Sequence, residues 1–238
     1  MNKSFWVMLP ACSLMFLGLI FASLIGMKTI TTISYNQPLP ERNCFIIDAG
    51  HGGVDGGAVS CTGAYESKIN LEISLRLNDL MHLIGYETKM IRTEDISVYT
   101  EGESIAAKKS SDLKERVRIV NETQRGILLS IHQNYFYDSF YSGGQMFFSQ
   151  TAGSKELSKQ LQDAFISYLN PGSNRKEKSA EGIYLMKHIT NPGVLIECGF
   201  LSNYEEEAKL RSADYQKKLC CVISSVCSQY LLDRVGES

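Results

Sequence analysis

Neither sign of charge is in excess in this 238-residue sequence: 24 Lys and Arg stand against 26 Asp and Glu, for a net charge of −2. That excludes the strong basic bias by which a nucleic-acid-binding chain usually announces itself. There is no internal repeat and no low-complexity tract, so one domain is expected rather than an array. There is no C-x-x-C pair, and the seven cysteines are an odd number, so no disulfide framework is expected. Cys44 and Cys198 fall in apolar, strand-like runs and Cys220, Cys221 and Cys227 in the last helical stretch, where they read as small buried hydrophobes. Histidine is scarce too, with four in all, so imidazole chemistry has few positions to draw on. Hydrophobic residues at 44% and charged ones at 21% are ordinary for a globular domain of this length.

A different absence marks the N-terminus. From Phe5 to Met27, after Lys3, no residue is charged. The run is long enough to cross a bilayer as a helix, and a buried core helix rarely lacks every charge. It also lacks a clear small-x-small cleavage site, which favours an uncleaved anchor over a cleaved signal peptide. Residues 1–27 are therefore expected to form an apolar helix that exports the chain and holds it on the membrane. Residues 28–43, polar with Pro38 and Pro40, read as a linker, and residues 44–235 as one folded domain.

That domain is organised around Cys44-Phe45-Ile46-Ile47-Asp48-Ala49-Gly50-His51-Gly52-Gly53. A short apolar run bounded by glycine reads as a buried strand, and the glycines permit a tight turn and close approach to a ligand. Glu66 to Ile84 places Ile69, Ile73, Leu77, Leu80 and Leu83 on one helical face, stopped by Gly85. Tyr86 to Ile91 alternates as a strand. Arg92 to Ser110 shows no periodicity, Asp112 to Thr123 returns to helix, and Gly126 to His132 is a second apolar strand ending on a histidine. Gln145 to Phe148 is expected as an edge strand, Lys155 to Leu169 as a helix, Ser173 to Ser179 as exposed chain, and Ile183 to Met186 and Val194 to Ile196 as short strands. Helices over Glu205 to Leu210 and Tyr215 to Leu232 close the chain. Strands alternating with helices predict a single α/β domain with a mostly parallel, twisted sheet flanked by helices, whose ligands bind beyond the carboxyl ends of the strands. His51, His132 and Glu197 all fall there.

Two imidazoles from two strand ends and a carboxylate at a helix start, Glu66, make a His-Glu-His set that suits a zinc ion with an open fourth position for water. A separate carboxylate must move the water's proton. Glu197, between Val194-Leu195-Ile196 and Cys198-Gly199-Phe200, has the apolar neighbours that raise a carboxyl pKa towards neutrality. His82, inside the first helix, and His188, in a turn, are not expected to be ligands.

Four blocks in this order, Asp48-Ala49-Gly50-His51-Gly52-Gly53, Glu66, Ser130-Ile131-His132-Gln133-Asn134 and Glu197-Cys198-Gly199-Phe200-Leu201-Ser202-Asn203, resemble the zinc-dependent N-acetylmuramoyl-L-alanine amidases of the amidase-3 family. The resemblance covers about residues 44–232. It implies zinc ligands at His51, Glu66 and His132, a catalytic glutamate at Glu197, and cleavage of the amide between the muramic acid lactyl group and L-alanine of peptidoglycan. Ser142-Gly143-Gly144-Gln145-Met146-Phe147-Phe148 and Tyr184-Leu185-Met186-Lys187 before Asn191-Pro192-Gly193 are similar to the spore-cortex branch, which prepares muramic-δ-lactam for germination. Ser67 and Glu181-Gly182 depart from that branch at positions expected to touch substrate. Asn134, Tyr135, Tyr137 and Gln145 are expected to line the substrate groove. The resemblance further implies location in the forespore intermembrane space or cortex and an exported lipoprotein activator. A non-catalytic wall-binding module and a zinc peptidase cutting within the stem are the competing readings.

Overall fold

β1 (Cys44–Ala49) is buried at every position, Asp48 included, as a strand covered on both faces must be. The computed structural model describes residues 43–236; the expected N-terminal helix and linker lie outside the described residues. After β1 the chain forms α1 (Glu66–Leu83), β2 (Glu87–Met90), α2 (Ile105–Glu122), β3 (Gly126–Asn134) and β4 (Gln145–Phe148). It continues through α3 (Ser154–Tyr168), β5 (Lys178–Ser179), α4 (Tyr184–His188), β6 (Gly193–Phe200), α5 (Tyr204–Leu210) and α6 (Ala213–Gly236). The strands lie in the order β2-β1-β3-β6-β4-β5. Pairs β2–β1, β1–β3 and β3–β6 are parallel, β4 runs antiparallel to β6, and β5 runs with β4.

Alternation along the strands separates two cores. Phe45, Ile47, Leu129, Ile131, Val194 and Ile196 face one side, against Ile73 and Leu77 of α1, Leu161 and Phe165 of α3, and Ile223 and Tyr230 of α6. Ile46, Leu128 and Leu195 face the other, against Val120 of α2 and Leu185 and Met186 of α4. By the same alternation Asp48, Ser130, His132 and Glu197 share the second face, towards the carboxyl ends of β1, β3 and β6. Where Ile46, Leu128 and Leu195 make an apolar layer, these polar residues make the next one up.

Four sequence expectations are corrected. Ile183 to Met186 is not a strand: Tyr184–His188 is a helical turn that buries Leu185 and Met186, and an apolar run of four cannot by itself tell the two apart. α2 begins at Ile105 rather than near Asp112, with the Ser104 side chain accepting from the Ala107 N–H as N-cap. β4 is not the outermost strand, because β5 covers its far side. Cys221 is exposed, whereas Cys44, Cys198, Cys220 and Cys227 are buried; every described cysteine is a free thiol. Among the described residues no helix is long and apolar enough to cross a membrane.

Candidate functional site

At the end of β1 the backbone turns through His51, whose φ is +61°. A side chain in the left-handed region is strained and persists only where its surroundings impose it. Two buried arginines do so. Arg92, just past β2, donates to the carbonyls of Ala49 (2.8 Å), Gly50 (3.0 Å) and Ser67 (2.8 Å). Arg116, on α2, donates to the carbonyls of Ala49 (3.1 Å) and His51 (2.7 Å) and pairs with Asp112 (2.6 Å) and with Asp48. Burial alone would raise the Asp48 carboxyl, but Arg116, together with His132 and the Ser130 hydroxyl, holds the group below the usual carboxylate range. Each guanidinium presents five donors in a fixed fork, so the carbonyls that β1 no longer pairs in the sheet are captured from the side.

Glu66 opens α1, and its side chain turns back to the loop. One oxygen accepts from the Ala58 N–H (3.0 Å), the other from the Gln133 N–H (3.1 Å) and the Asn70 amide (3.2 Å). The same carboxylate bridges His51 Nε2 at 3.2 Å and His132 Nδ1 at 3.1 Å. The two imidazoles meet edge to face, centroids 4.9 Å apart. One ligand atom from each of His51, Glu66 and His132 lies within 4.8 Å of the others, so three of the residues singled out in the sequence converge. Burial opposes the Glu66 charge, yet both histidines hold its pKa well below the ordinary value. Burial likewise opposes the His51 imidazolium, and Glu66 and Asp55 push it up to about 9.

The donor set fits a zinc ion. Tetrahedral Zn–N and Zn–O bonds of about 2.0–2.2 Å place donor atoms roughly 3.3–3.6 Å apart; His51 Nε2 lies 3.2 Å from one Glu66 oxygen and His132 Nδ1 3.1 Å from the other, with one ligand atom from each residue within 4.8 Å of the rest. The second ring nitrogen of His51 meets Asp55 Oδ2 at 3.0 Å, the carboxylate–histidine pairing that orients a metal-binding imidazole, and Lys109 meets the other Asp55 oxygen at 2.8 Å. Two glycines make the room: a Cβ on Gly50 would lie 2.2 Å from His132 Nε2, and one on Gly57 2.6 Å from a Glu66 oxygen. Gly50→Ala is therefore expected to displace the His132 ring and weaken zinc binding at least about tenfold, read by competition with a chromophoric chelator. Unchanged affinity would show that His132 does not hold the ion.

Glu197 is not at a strand end as expected. β6 runs on to Phe200, and Glu197 lies mid-strand, in register with His132 across the parallel pair. It shares His132's face, about one strand spacing away. Its Oε2 is buried without a hydrogen-bond partner, and desolvation pushes its pKa up to about 7. His132 too stands two residues short of the end of β3. A cavity of about 210 Å3 adjoins His51 and His132, walled by Asp55, Lys109, Leu113, Ile183 and Leu185.

The remaining candidates divide. Asn134 ends β3, paired with Phe200. Tyr135 is 51% and Tyr137 98% exposed. Gln145, opposite Glu197 in the β4–β6 pair, is buried, with its amide donating to Gln162 (3.1 Å) and the Lys176 carbonyl (2.6 Å), so it lies beneath the surface rather than on an open wall. His82 meets Thr88 (2.5 Å), and His188 meets the Tyr184 carbonyl (2.8 Å), so neither joins the cluster. Sequence reasoning missed Asp55, Arg92 and Arg116. Asp55 had a local signal, a carboxylate four residues past His51 inside the glycine loop; the arginines are 41 and 65 positions away from His51 and had none.

The chain matches the Amidase_3 family, N-acetylmuramoyl-L-alanine amidase, over residues 45–225. It is 35% identical over 202 residues to the germination-specific N-acetylmuramoyl-L-alanine amidase of Bacillus subtilis (strain 168), covering 84% of each chain. Among solved structures it is similar to the CwlD amidase from Clostridioides difficile in complex with the GerS lipoprotein, at 37% identity and a TM-score of 0.76, over 80% of this chain and 98% of that one. It is also similar to an N-acetylmuramoyl-L-alanine amidase from Clostridium difficile 630, at 30% identity and a TM-score of 0.68, over 80% of this chain and 97% of the other.

Proposed function

The protein belongs to the Amidase_3 family of N-acetylmuramoyl-L-alanine amidases, and from that premise we propose that it cuts the lactyl–L-alanine amide of peptidoglycan with zinc held by His51, Glu66 and His132 and with Glu197 moving the proton. The observation that carries this reading is the cluster of three ligand atoms within 4.8 Å beside a neighbouring strand's carboxylate with an unpartnered oxygen. When bound, zinc supplies Lewis-acid polarisation of the amide carbonyl and a water of lowered pKa.

The chain's own residues do the rest. Glu66 brings negative charge to the site and holds both imidazoles in place. Asp55 fixes the tautomer of His51 by accepting from Nδ1, which leaves Nε2 free for the ion. Glu197 takes a proton from the attacking water as the C–O bond forms, then gives it to the alanine nitrogen as the C–N bond breaks. The products are a lactyl carboxylate and a free peptide amine. Such proton transfer is most effective when the group's pKa lies near the working pH, which the desolvated position of Glu197 provides.

The sign of the pH dependence follows. Glu197 must be ionised to accept the proton, so kcat/KM is expected to rise with pH along an acid limb whose midpoint is at or just below about 7, since a bound cation draws the carboxyl down from its metal-free value. A rate profile of the zinc-saturated enzyme that stays flat down to about pH 5 would exclude Glu197 as the base.

The spore cortex is the proposed setting, with muramic-δ-lactam formation as the outcome. Support comes from the relative named germination-specific and from the resemblance of the Gly143-Gly144-Gln145 stretch to that branch. An exported lipoprotein is the proposed partner, since a similar amidase was solved with one. Residues 1–27 are proposed to carry the domain out of the cytoplasm and anchor it in the membrane facing the cortex. Muropeptide digestion by the zinc-loaded protein, analysed by mass spectrometry, tests the reaction. Free stems with bare muramic acid are expected; muramic acid that keeps an amino acid would indicate a peptidase, and no released stem a binding module.

A further inference from the structure

The loop of residues 135–144, between β3 and β4, carries five aromatic side chains, Tyr135, Phe136, Tyr137, Phe140 and Tyr141. Tyr137 is 98% and Phe140 91% exposed. Apolar surface so concentrated on one loop marks a binding surface more often than a solvated one. The loop is held at several points. The Phe136 N–H donates to Ser202 Oγ (3.3 Å), the Ser139 carbonyl accepts from the Asn203 amide (2.8 Å), and the Gly143 N–H donates to the buried Glu206 carboxylate (2.8 Å). Tyr141 packs edge-on to Phe136 at 4.7 Å and stacks on Phe200 at 6.1 Å. Tyr137 and Phe140 therefore project from a fixed frame, and engaging a ligand does not require the loop to be ordered first.

Beside them opens a second cavity of about 730 Å3, walled by Phe140, Tyr141, Asn170, Asn174, Arg175 and Lys209. Its walls combine aromatic rings with amides, cations and the carboxylates of Glu205 and Glu206. Amides both donate and accept, and aromatic rings offer an apolar face with, for Tyr, a polar tip. That pairing suits sugar rings, which present apolar faces edged by hydroxyl and acetamido groups. A protein partner's interface is instead depleted of lysine and glutamate, whereas Lys209, Glu205 and Glu206 stand in this one. Tyr135 follows His132 by three residues along the exit of β3, about 10 Å in extended chain, so the surface continues from the metal-binding cluster along the same rim.

We propose that the 135–144 loop, with Tyr137 and Phe140 as its stacking residues and the adjoining amide-lined cavity, seats the glycan strand of peptidoglycan beyond the bond being cut. This rests on the amidase reading and adds a polymer-selecting surface to it.

The test is the double variant Tyr137→Ala/Phe140→Ala of the full chain, both positions being more than nine-tenths exposed and so outside the packed core. Cleavage of intact insoluble peptidoglycan is compared with cleavage of a single disaccharide–tetrapeptide. The expected result is a roughly tenfold fall in the ratio of the two kcat/KM values, carried by KM on the polymer, with matching loss of co-sedimentation with insoluble peptidoglycan. An unchanged ratio, or unchanged sedimentation, overturns the proposal, as does loss of binding only to a protein partner. Sedimentation does not depend on turnover, so it separates the two readings. Wild type that sediments through these residues yet releases no stem keeps the surface and loses the amidase assignment.

Discussion

Glu197→Gln is expected to bind zinc as wild type does and to lose turnover by about three orders of magnitude. Glutamine keeps the volume and one oxygen of the side chain but cannot take up a proton. General acid–base catalysis is typically worth about 10^2–10^4-fold, and a thousandfold loss is roughly 4 kcal/mol of barrier. The carboxylate lies across the strand pair from His132, on its own strand, and one of its oxygens is held by nothing else in the protein. Removing its charge therefore leaves no donor of the fold stranded. Two measurements decide the matter together: zinc content after dialysis, expected to be unchanged, and kcat on muropeptides. A kcat within about tenfold of wild type would assign the proton to another group.

His132→Ala is expected to do the reverse, losing the ion first and activity as a consequence. The substitution leaves two of the three proposed ligands and removes one of the two imidazoles beside the buried Glu66 carboxylate. Loss of an outer-shell partner alone costs about 10–100-fold in metal affinity, so loss of a ligand is expected to exceed about 100-fold. Zinc should raise the melting temperature of wild type by mass action, since it binds the folded state, and leave the variant's almost unmoved. Full zinc content in the dialysed variant would show that the ion is held elsewhere.

What the sequence disclosed follows from where each signal resides. β1 and its histidine were legible because an apolar run stops against glycines, and both the strand and the turn leave local marks. α1 was legible because one of its faces packs against the sheet, which imposes a 3.6 period. The first turns of α2 show the converse: Ile105, Ala106 and Ala107 are exposed, nothing imposes a period there, and only the Ser104 cap announces the start. α4 misled because burying Leu185 and Met186 needs no more than two neighbouring apolar residues. The position of Glu197 was misjudged for a related reason. Cys198 and Phe200 are buried beyond it, but Gly199 between them reads as punctuation. His51, Glu66 and His132 were legible as residue types at strand ends and a helix start and were expected to meet, and the sheet order that sets β1 beside β3 brings them together. Arg92 and Arg116 left no trace at all: an arginine that hydrogen-bonds distant carbonyls looks, in sequence, like any other.

Those two guanidiniums have a consequence of their own. The curl of backbone at residues 49–51 is gripped by side chains rooted in α2 and after β2. Its shape therefore depends on residues distant in sequence, and loosening either arginine is expected to shift His51 with it.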